Sequence, residues 1–375
     1  MTEPVVLIAG GYGEVGRRLA ALLEPRHPGR VVLGGRHPER ASGLRAVRLD
    51  LDDAASVAAA LAGCDVVVSC VRQPSAELLR AVIDRGLAFT SIAPPWLDWR
   101  DVRALDADAH RTGARIVLAT GLEPGISSLL ARIGTDRLGG ADAIETALCL
   151  SVGDAYGPDS MSFLFEEVRE EYSIVVDGRE VPARAFERPR RVAFPHPVGT
   201  RRAYTMPFRD QHYYPHTLGA KSSVARLALE PPWLADLTAL LLRLGLRSRV
   251  GRGRARETVR GWVERLRAAR AGDDRWALVV EVRRGSRAVI STLVGREQAQ
   301  ATAVGAFAVA EALANRELRE PGVQLVEQVV LPARFLERLR ENGLVPEIEE
   351  REVAPSSSQL ALGAPNAFLK SSRFR

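Results

Sequence analysis

A glycine-rich turn directly after an apolar run near the start of the chain constrains the fold more than any other feature. The run Val5–Ala9 is rich in β-branched residues and predicts a buried parallel strand, and Arg17–Leu23 continues as a helix. Between them, in GxGxxG spacing, stand Gly11, Tyr12, Gly13, Glu14, Val15 and Gly16. Gly11 allows a tight turn, Gly13 lets the backbone approach a pyrophosphate, and Gly16 lets the helix pack closely on the sheet. Because phosphates favour the positive end of a helix, the motif predicts a dinucleotide site.

The residue after the second strand indicates which dinucleotide is bound. The apolar run Val31–Leu33 predicts a strand that ends at Gly34-Gly35-Arg36, about where dinucleotide folds place the residue that meets the adenosine ribose. A carboxylate there would accept a hydrogen bond from the ribose 2′-hydroxyl, whereas the Arg36 guanidinium forms a paired, charge-assisted contact with a 2′-phosphate. We therefore predict NADP(H) as the cofactor. The alternative is that Arg36 is one of many solvated arginines.

Strands and helices alternate over roughly the first 120 residues. The predicted strands are Val5–Ala9, Val31–Leu33, Ala46–Leu49, Asp65–Cys70, Ala88–Ile92 and Arg115–Leu118. The predicted helices after the first are Asp53–Ala62, Ser75–Arg85 and Val102–Thr112. Such alternation builds a parallel sheet covered on both faces, with ligands at the carboxyl ends of its strands. This predicts an α/β, Rossmann-type dinucleotide-binding domain over residues 1–122.

Two further segments follow predicted strands and are candidates for cofactor contact. Asp50 and Leu51 follow the third strand, where a side chain or backbone group could cap the adenine. Cys70 and Val71 end the fourth strand, where the chain passes the nicotinamide ribose. The alternatives are that Asp50 caps the helix that follows it, and that Cys70 is a small buried side chain and not a nucleophile.

Beyond residue 120 the alternation stops, and strand patterns follow one another. The predicted strands are Ala141–Leu150, Tyr172–Val176, Arg190–Phe194 and a hairpin from Trp276 to Val294 that turns at Arg284-Gly285-Ser286. The predicted helices are Ile126–Leu138, Pro232–Leu244, Glu257–Ala269 and Gln298–Ala314. We expect an α+β substrate and dimerisation domain built on a mixed sheet over residues 123–300. C-terminal helices over 301–352 and a mobile tail over 353–375 complete the prediction.

The densest set of proton-bearing side chains lies between residues 201 and 221, in a segment that reads as a proline-punctuated loop. Histidine titrates near neutrality, and tyrosine can pass on a proton when a cation is close, so Tyr214 and His216 are the catalytic candidates. The candidates for substrate binding are Glu123, Arg201, Tyr204, His212 and Tyr213. Glu123 could bind a substrate amine, or it could be a favourable charge at the start of a helix. The loop could equally brace the domain.

Charge and cysteine content exclude several other classes of protein. The formal net charge is +6 over 375 residues, and nine arginines lie between residues 247 and 270. They fit the solvated face of an amphipathic helix, so we predict no nucleic-acid partner. Cys64, Cys70 and Cys149 are too few and too scattered for a disulfide framework or a metal site, which predicts a reducing compartment and no metal.

Membrane insertion and secretion are not predicted either. The apolar stretch Leu237–Leu246 is about ten residues long and contains Arg243, far short of the roughly twenty residues that span a bilayer. The first strand begins without a basic leader or cleavage site before it. The sequence therefore predicts a cytoplasmic protein without a membrane partner.

Three segments resemble the saccharopine dehydrogenase-like oxidoreductases. Gly10–Arg17 resembles their nucleotide loop, and Ala119–Ile126 resembles the Gly-Leu-Asp/Glu-Pro-Gly junction between their nucleotide and substrate domains. The stretch from Glu320 to Glu337 is similar to their closing segment. The resemblance implies a Rossmann domain, an inserted substrate domain whose mixed sheet often pairs subunits into a homodimer, and C-terminal helices that return to the first domain.

The resemblance also implies a reaction. Members of this family reduce an imine C=N bond or an activated C=C bond of a small metabolite with NADPH, in the cleft between the domains. The charged positions that hold a dicarboxylate product in true saccharopine enzymes have no clear match here, so the lysine pathway is not implied. The alternative from another class is a non-catalytic NADP(H) sensor. A second domain of about 180 residues with a histidine-bearing polar segment is more than a sensor requires.

Overall fold

Two β-sheets with helices packed on them organise the chain. The computed structural model describes residues 3–41, 43–71, 76–92, 99–154, 168, 171–248, 261, 265, 273–329 and 331–353. Apart from Gly261 and Arg265, the predicted helix Glu257–Ala269 lies outside these ranges, as do most of the arginine run after residue 248 and the tail after residue 353. All three cysteines are free thiols.

The first sheet has seven strands, all parallel. They are β1 (Val6–Ala9), β2 (Val31–Gly35), β3 (Arg45–Arg48), β4 (Val66–Ser69), β5 (Ala88–Ser91), β6 (Arg115–Leu118) and β15 (Gly322–Leu325), in the order β15-β6-β5-β4-β1-β2-β3. The helices between them are α1 (Glu14–Leu23), α2 (Ala54–Ala60), α3 (Glu77–Asp84) and α4 (Trp99–Thr112). The order reverses between β1 and β4, and at such a switch point a crevice opens beyond the carboxyl ends of the strands.

The four central strands of this sheet are buried on both faces, which explains their continuous apolar sequence. In β1, Val6 and Ile8 pack into one apolar cluster, whereas Leu7 and Ala9 pack into the other. Side chains alternate across a strand, so every position of a strand covered on both sides must be apolar or small. Parallel neighbours need a crossover that returns the chain to the starting edge, and α1, α2, α3 and α4 supply it in four of the connections.

The second sheet has nine strands and is mixed. Its strands are β7 (Ala143–Ser151), β8 (Glu171–Val176), β9 (Arg179–Arg184), β10 (Arg190–Ala193), β11 (Thr200–Thr205), β12 (Ser222–Glu230), β13 (Arg275–Arg284), β14 (Arg287–Arg296) and β16 (Glu347–Glu352). Seven follow the order β10-β11-β12-β7-β13-β14-β16, and the hairpin β8–β9 joins through β12. Only β7 and β12 run parallel to each other.

The remaining helices lie between the sheets or along them. They are α5 (Ile126–Leu138), α6 (Asp210–Thr217), α7 (Trp233–Arg243), α8 (Gln298–Ala314), α9 (Val326–Val329) and α10 (Pro332–Glu341). Helix α5 packs on β13 and β14, α6 and α7 pack on β12, and α8 packs on α1, β4 and β5. No helix among the described residues is long and apolar enough to cross a membrane.

The predicted fold class, a Rossmann-type sheet with a second, mixed-sheet domain, is confirmed, and three details differ. The segment 201–217 is the strand β11 and the helix α6, not a loop; α6 is buried on several sides and therefore shows no amphipathic period. The C-terminal segment contributes strands as well as helices, because β15 completes the first sheet and β16 the second. The sequence did not predict β9 or β12. Strand β9 carries three charged residues and a proline, and Arg226 interrupts the apolar run of β12.

Helix α8 passes so close to the chain between the two sheets that only glycine fits at one position. A Cβ on Gly305 would lie 2.7 Å from the carbonyl oxygens of both Thr120 and Gly121. These are backbone atoms and cannot rotate away, so overpacking there costs stability. At Gly261, which is also helical, a Cβ would meet no described residue within 4 Å.

We expect Gly305→Ala to destabilise the protein by about 1–3 kcal/mol, although alanine favours a helix. Gly261→Ala is the matched control and should be neutral or stabilising by up to about 1 kcal/mol. Urea unfolding followed by circular dichroism measures both. Equal stability of the two variants would mean that α8 does not depend on this close approach.

Candidate functional site

The glycine loop after β1 forms a cradle of bare backbone. Gly10 has φ +80°, and a Cβ there would lie 2.3 Å from Val71 Cγ1, so Gly10 makes the turn that the sequence assigned to Gly11. A Cβ on Gly16 would lie 2.2 Å from the Gly10 carbonyl oxygen, which explains the close packing of α1. Gly13, the residue before α1, would bring a Cβ no closer than 3.2 Å to Gly10 and otherwise faces open space. Open backbone at a helix start is the geometry that accepts a pyrophosphate.

Two other residues of the motif, Glu14 and Val15, have side chains engaged with the protein itself. The Glu14 carboxylate accepts hydrogen bonds from Arg18 at 2.8 Å and from Arg17 at 3.0 Å. The Arg18 hydrogen bond holds the pKa of Glu14 below its usual value, so this side chain stays ionised. Val15 packs against the apolar core. Contact of Glu14 and Val15 with a cofactor is therefore expected through their backbone.

Tyr12 and Arg36 stand where β2 ends. The Tyr12 hydroxyl donates to the Leu33 carbonyl oxygen at 3.2 Å, and its ring covers Gly35, where a Cβ would lie 2.5 Å from the ring. Burial raises the pKa of Tyr12, so the phenol remains neutral. Arg36 is exposed, and no described residue forms a hydrogen bond or ion pair with its guanidinium. The guanidinium is thus available at the end of β2, where the sequence predicts the adenosine ribose.

The other predicted cofactor residues lie at the same edge of the sheet. Asp50 follows β3, and its carboxylate accepts the backbone N–H of Asp52 at 3.3 Å. The N-cap of α2 is Asp53, which accepts from two backbone N–H groups, so capping is not the role of Asp50. Leu51 packs against the apolar cluster that contains Leu7 and Ala9 of β1. Cys70 follows β4, and burial raises the pKa of its thiol to about 12, which excludes a thiolate nucleophile at neutral pH.

The junction after β6 carries Glu123 into the space between the sheets. The chain turns on itself there, because the Ile126 N–H donates to the Gly121 carbonyl oxygen at 2.9 Å and the Glu123–Pro124 peptide is cis. Part of Glu123 is exposed, yet both its carboxyl oxygens are buried and meet no hydrogen-bond partner among the described residues. Burial, and then the charge of Asp210, raise the pKa of Glu123 well above its usual value. The neighbouring hydroxyl of Thr146, in β7, acts in the opposite direction and lowers the pKa of Glu123 by a smaller amount.

Asp210 is the centre of a hydrogen-bonded cluster beside Glu123. It is fully buried at the first turn of α6, and one carboxylate oxygen accepts from the Tyr214 hydroxyl at 2.8 Å and from Ser127 of α5 at 3.0 Å. The Tyr214 and Ser128 hydroxyl oxygens lie 3.4 Å apart. Burial raises the pKa of Asp210 to about 6, although these hydrogen bonds oppose the shift. Burial also raises the pKa of Tyr214, so the phenol holds its proton.

A third buried carboxyl group, Glu327, completes the acid cluster. Glu327 lies in α9 and is 1% exposed; it accepts a hydrogen bond from the Thr217 hydroxyl at 2.9 Å. Its second carboxyl oxygen is buried without a partner among the described residues. Burial raises the pKa of Glu327 to about 7, and the charge of Asp210 adds to the shift. Asp210 thus interacts with Glu123 on one side and with Glu327 on the other, and burial raises the pKa of all three carboxyl groups, a shift that is common in groups that donate protons.

The remaining predicted site residues are divided between this cluster and other places. Tyr213 is buried and packs in the core of the first sheet, whereas Tyr214 belongs to the acid cluster. His212 stacks edge-on against Tyr172, and burial followed by the charge of Arg209 lowers the pKa of its imidazole to about 4. His216 is exposed.

Arg201 and Tyr204 lie in β11 with partners elsewhere in the second domain. The Arg201 guanidinium pairs with Glu230 at 2.8 Å, and the Tyr204 hydroxyl donates to Asp236 at 2.6 Å. The structure therefore brings Glu123 and Tyr214 together and leaves this pair outside the acid cluster. Ser127 and Glu327 were not candidates in the sequence analysis, although Glu327 lies in the closing segment Glu320–Glu337. The environment of these two side chains arises from tertiary packing, which the sequence does not reveal.

No group of three or more histidine, cysteine or acidic side chains among the described residues could hold a metal ion.

Comparison with known proteins supports the nucleotide site first. Residues 10–93 match the model of the NAD(P)H-binding family, which covers the glycine loop and the ends of β2, β3 and β4. This confirms a nicotinamide dinucleotide as the cofactor. No curated protein matches the chain significantly.

Among solved structures, the apo saccharopine dehydrogenase (L-Glu forming) of Saccharomyces cerevisiae superposes with a TM-score of 0.67 at 16% identity, over 94% of this chain and 100% of that one. The chain has the fold of saccharopine dehydrogenase. Lower similarity is found to C. glutamicum DAP dehydrogenase in complex with DAP, at 12% identity, TM-score 0.47 and coverage of 91% and 99%. The saccharopine dehydrogenase likeness confirms the predicted resemblance at the level of the fold, and at 16% identity it does not extend to the substrate.

The acid cluster predicts a specific dependence of stability on pH. A glutamate in an unfolded chain titrates near about pH 4.3, whereas folded Glu327 titrates at about 7. The folded state binds the extra proton, so this stability is complete below the lower value and is lost as the pH rises through the upper one. Relative to the unchanged protein, Glu327→Gln should therefore gain about 2 kcal/mol in unfolding free energy between about pH 5 and pH 8.

Urea unfolding at a series of pH values measures this difference. Glu320→Gln is the control, because Glu320 is an exposed carboxylate nearby in the chain, and it should leave the pH profile unchanged. A parallel profile for Glu327→Gln and the unchanged protein would show that Glu327 is ionised in the folded state.

Proposed function

We propose that this chain is an NADPH-dependent oxidoreductase that reduces the imine C=N bond of a small metabolite in the cleft between its two sheets. The observation that carries the proposal is Glu123, whose two buried carboxyl oxygens meet no hydrogen-bond partner among the described residues and which follows β6 at the end of the parallel sheet where the cofactor binds. A buried polar group without a partner costs stability, so its presence calls for a ligand that supplies one. The nitrogen of an imine or amine is such a ligand.

The choice of NADPH rests on the end of β2. Arg36 is exposed and free of described partners, and Tyr12 covers Gly35 just before it. A guanidinium offers paired donors to a phosphate, and the ring beside it limits the space in which the adenosine ribose can move. When bound, the nicotinamide supplies a hydride from its C4 position to the acceptor carbon.

The chain's own part is to hold the acceptor and to deliver a proton. Burial raises the pKa of Glu123 and so favours its protonated form, which can transfer the proton to an imine nitrogen. Protonation makes the imine carbon more electrophilic, and the carboxylate that remains pairs with the positive nitrogen and holds it in place. Beside it, the buried Asp210 carboxyl group accepts a hydrogen bond from the Tyr214 hydroxyl at 2.8 Å and is a second group that titrates in this site. Enoyl reduction needs no such acceptor of positive charge, so the unpartnered carboxyl group favours an imine.

Arg36→Asp tests the choice of cofactor. We expect the Kd for NADPH to rise about 100-fold, because a paired charge contact is replaced by a repulsive one, while the Kd for NADH changes little. Isothermal titration calorimetry measures both. Arg40→Asp is the control, since Arg40 is also exposed and lies in the 3₁₀ turn Pro38–Arg40 that follows β2. An equal effect of Arg36→Asp on both coenzymes would remove the phosphate role.

Glu123→Gln tests the reaction. We expect kcat/KM for imine reduction to fall by about 100-fold or more, because glutamine cannot deliver a proton, with NADPH affinity unchanged. Consumption of NADPH is followed with cyclic imines, mixtures of keto acids and amines, and enoyl thioesters, with Glu320→Gln as the control. Undiminished imine reduction by Glu123→Gln would contradict the role of this residue. Turnover of enoyl thioesters alone would favour C=C reduction, and tight NADPH binding without any turnover would favour a sensor.

A further inference from the structure

Helix α7 presents an apolar stripe to solvent. Its buried face, formed by Leu234, Ala235, Ala239 and Leu242, packs toward the second sheet. The large apolar side chains that remain exposed on it and at its end are Trp233 (46% exposed), Leu240 (53%), Leu241 (39%) and Leu244 (70%). Of the six large exposed apolar side chains among the described residues, these are four. An exposed stripe of this kind marks an interaction surface.

The exposed residues form a continuous line. Trp233, Leu240 and Leu244 are separated by seven and four residues, which places them on one face of a helix, and partly buried Leu237 fills the gap between them. Leu241 widens the stripe on one side. Asp236 and Arg243, also seven residues apart, lie on the other side and face β11.

On that other side the stripe borders a basic cavity. The cavity has a volume of about 270 Å³ and is lined by Pro189, Arg190, Arg191, Arg202, Tyr204 and Arg243. Arg202 and the Tyr204 hydroxyl both contact the Asp236 carboxylate, at 3.3 and 2.6 Å. No described residue pairs with the side chain of Arg191 or Arg243. One carboxylate therefore faces three exposed guanidinium groups, and the cavity favours an anion with several oxygen atoms.

We propose that α7 and this cavity form a docking surface for a lipid bilayer that carries anionic phosphate head groups. The stripe supplies Trp and Leu side chains that enter the boundary between head groups and acyl chains, and the arginines beside it bind the phosphates. The protein would lie on the surface, in agreement with the lack of a described helix that could cross a membrane.

The charges favour this occupant over two others. A second copy packed stripe to stripe with antiparallel helices would bring the arginines of both copies together, and like charges repel; with parallel helices the arginines of each copy would face the Leu241 side of the other and meet no anion there. A small soluble phosphate would fill the cavity but leave Leu240 and Leu244 in water. A lipid surface satisfies both the apolar and the basic part.

The experiment uses the full chain and sedimentation with vesicles. We expect about tenfold more protein to bind vesicles of phosphatidylcholine with phosphatidylglycerol than vesicles of phosphatidylcholine alone, and this binding to fall as salt is raised. Leu240→Ser with Leu244→Ser, and separately Arg191→Gln with Arg243→Gln, should each lower it about tenfold. All four positions are exposed, so circular dichroism should show unchanged folding.

The matched controls carry the same changes elsewhere. Leu331→Ser with Val345→Ser alters two other exposed apolar side chains, and Arg30→Gln with Arg40→Gln removes two other exposed arginines; neither should change vesicle binding. Lack of binding to anionic vesicles overturns the proposal. So does binding that persists in both test variants, or a dimer, seen by analytical ultracentrifugation, that the leucine variant dissociates. Calorimetric binding of glycerol phosphate that the leucine variant retains would indicate a soluble ligand instead. None of these outcomes depends on the reductase reaction.

Discussion

The contact of backbone on backbone between the two sheets is the constraint on which the rest of this structure depends. Gly125 has φ +141°, and a Cβ there would lie 2.0 Å from the Gly121 carbonyl oxygen, so the junction can close on itself only with glycine. Helix α8 then packs on the same carbonyl group through Gly305. The close contacts of Gly125 and Gly305 with the backbone at Gly121 fix where α5 begins and how it meets the parallel sheet. Side chains at these positions would move α5, α8 and the residues they carry.

The acid cluster is a consequence of that geometry. Glu123 belongs to the junction, Ser127 to the first turn of α5, and Asp210 to the first turn of α6, so three separate elements meet at one buried point. Water is excluded there, and exclusion of water raises the pKa values of carboxyl groups. Burying three carboxyl groups lowers the free energy of unfolding. A cluster with a purely structural role would have no reason to carry that cost. Buried carboxyl groups with raised pKa values at the cofactor end of a sheet are typical of sites where protons are transferred.

The sequence indicated the first sheet almost strand for strand, because a strand buried on both faces must be apolar throughout, and only its C-terminal strand β15 was missed. It indicated the glycine loop as well, though Gly10 and not Gly11 makes the turn. The second sheet was less visible, since strand β12 carries the buried, ion-paired Arg226 and breaks the apolar pattern. The acid cluster was half visible. Glu123 and Tyr214 lay in noticeable segments, whereas the environment of Glu327 arises only from tertiary packing.

Strand β16 has a further consequence for the isolated protein. It borders the nine-stranded sheet, and five of its six residues are glutamate or arginine, with Ile348 the exception that packs on the core. A bare outer strand is a template to which another chain can add, which leads to fibres and domain exchange. An approaching strand would here meet a row of ionised groups and would have to strip them of water. This border thus keeps the large sheet from growing, and neutralising its glutamates would expose the molecule to self-association.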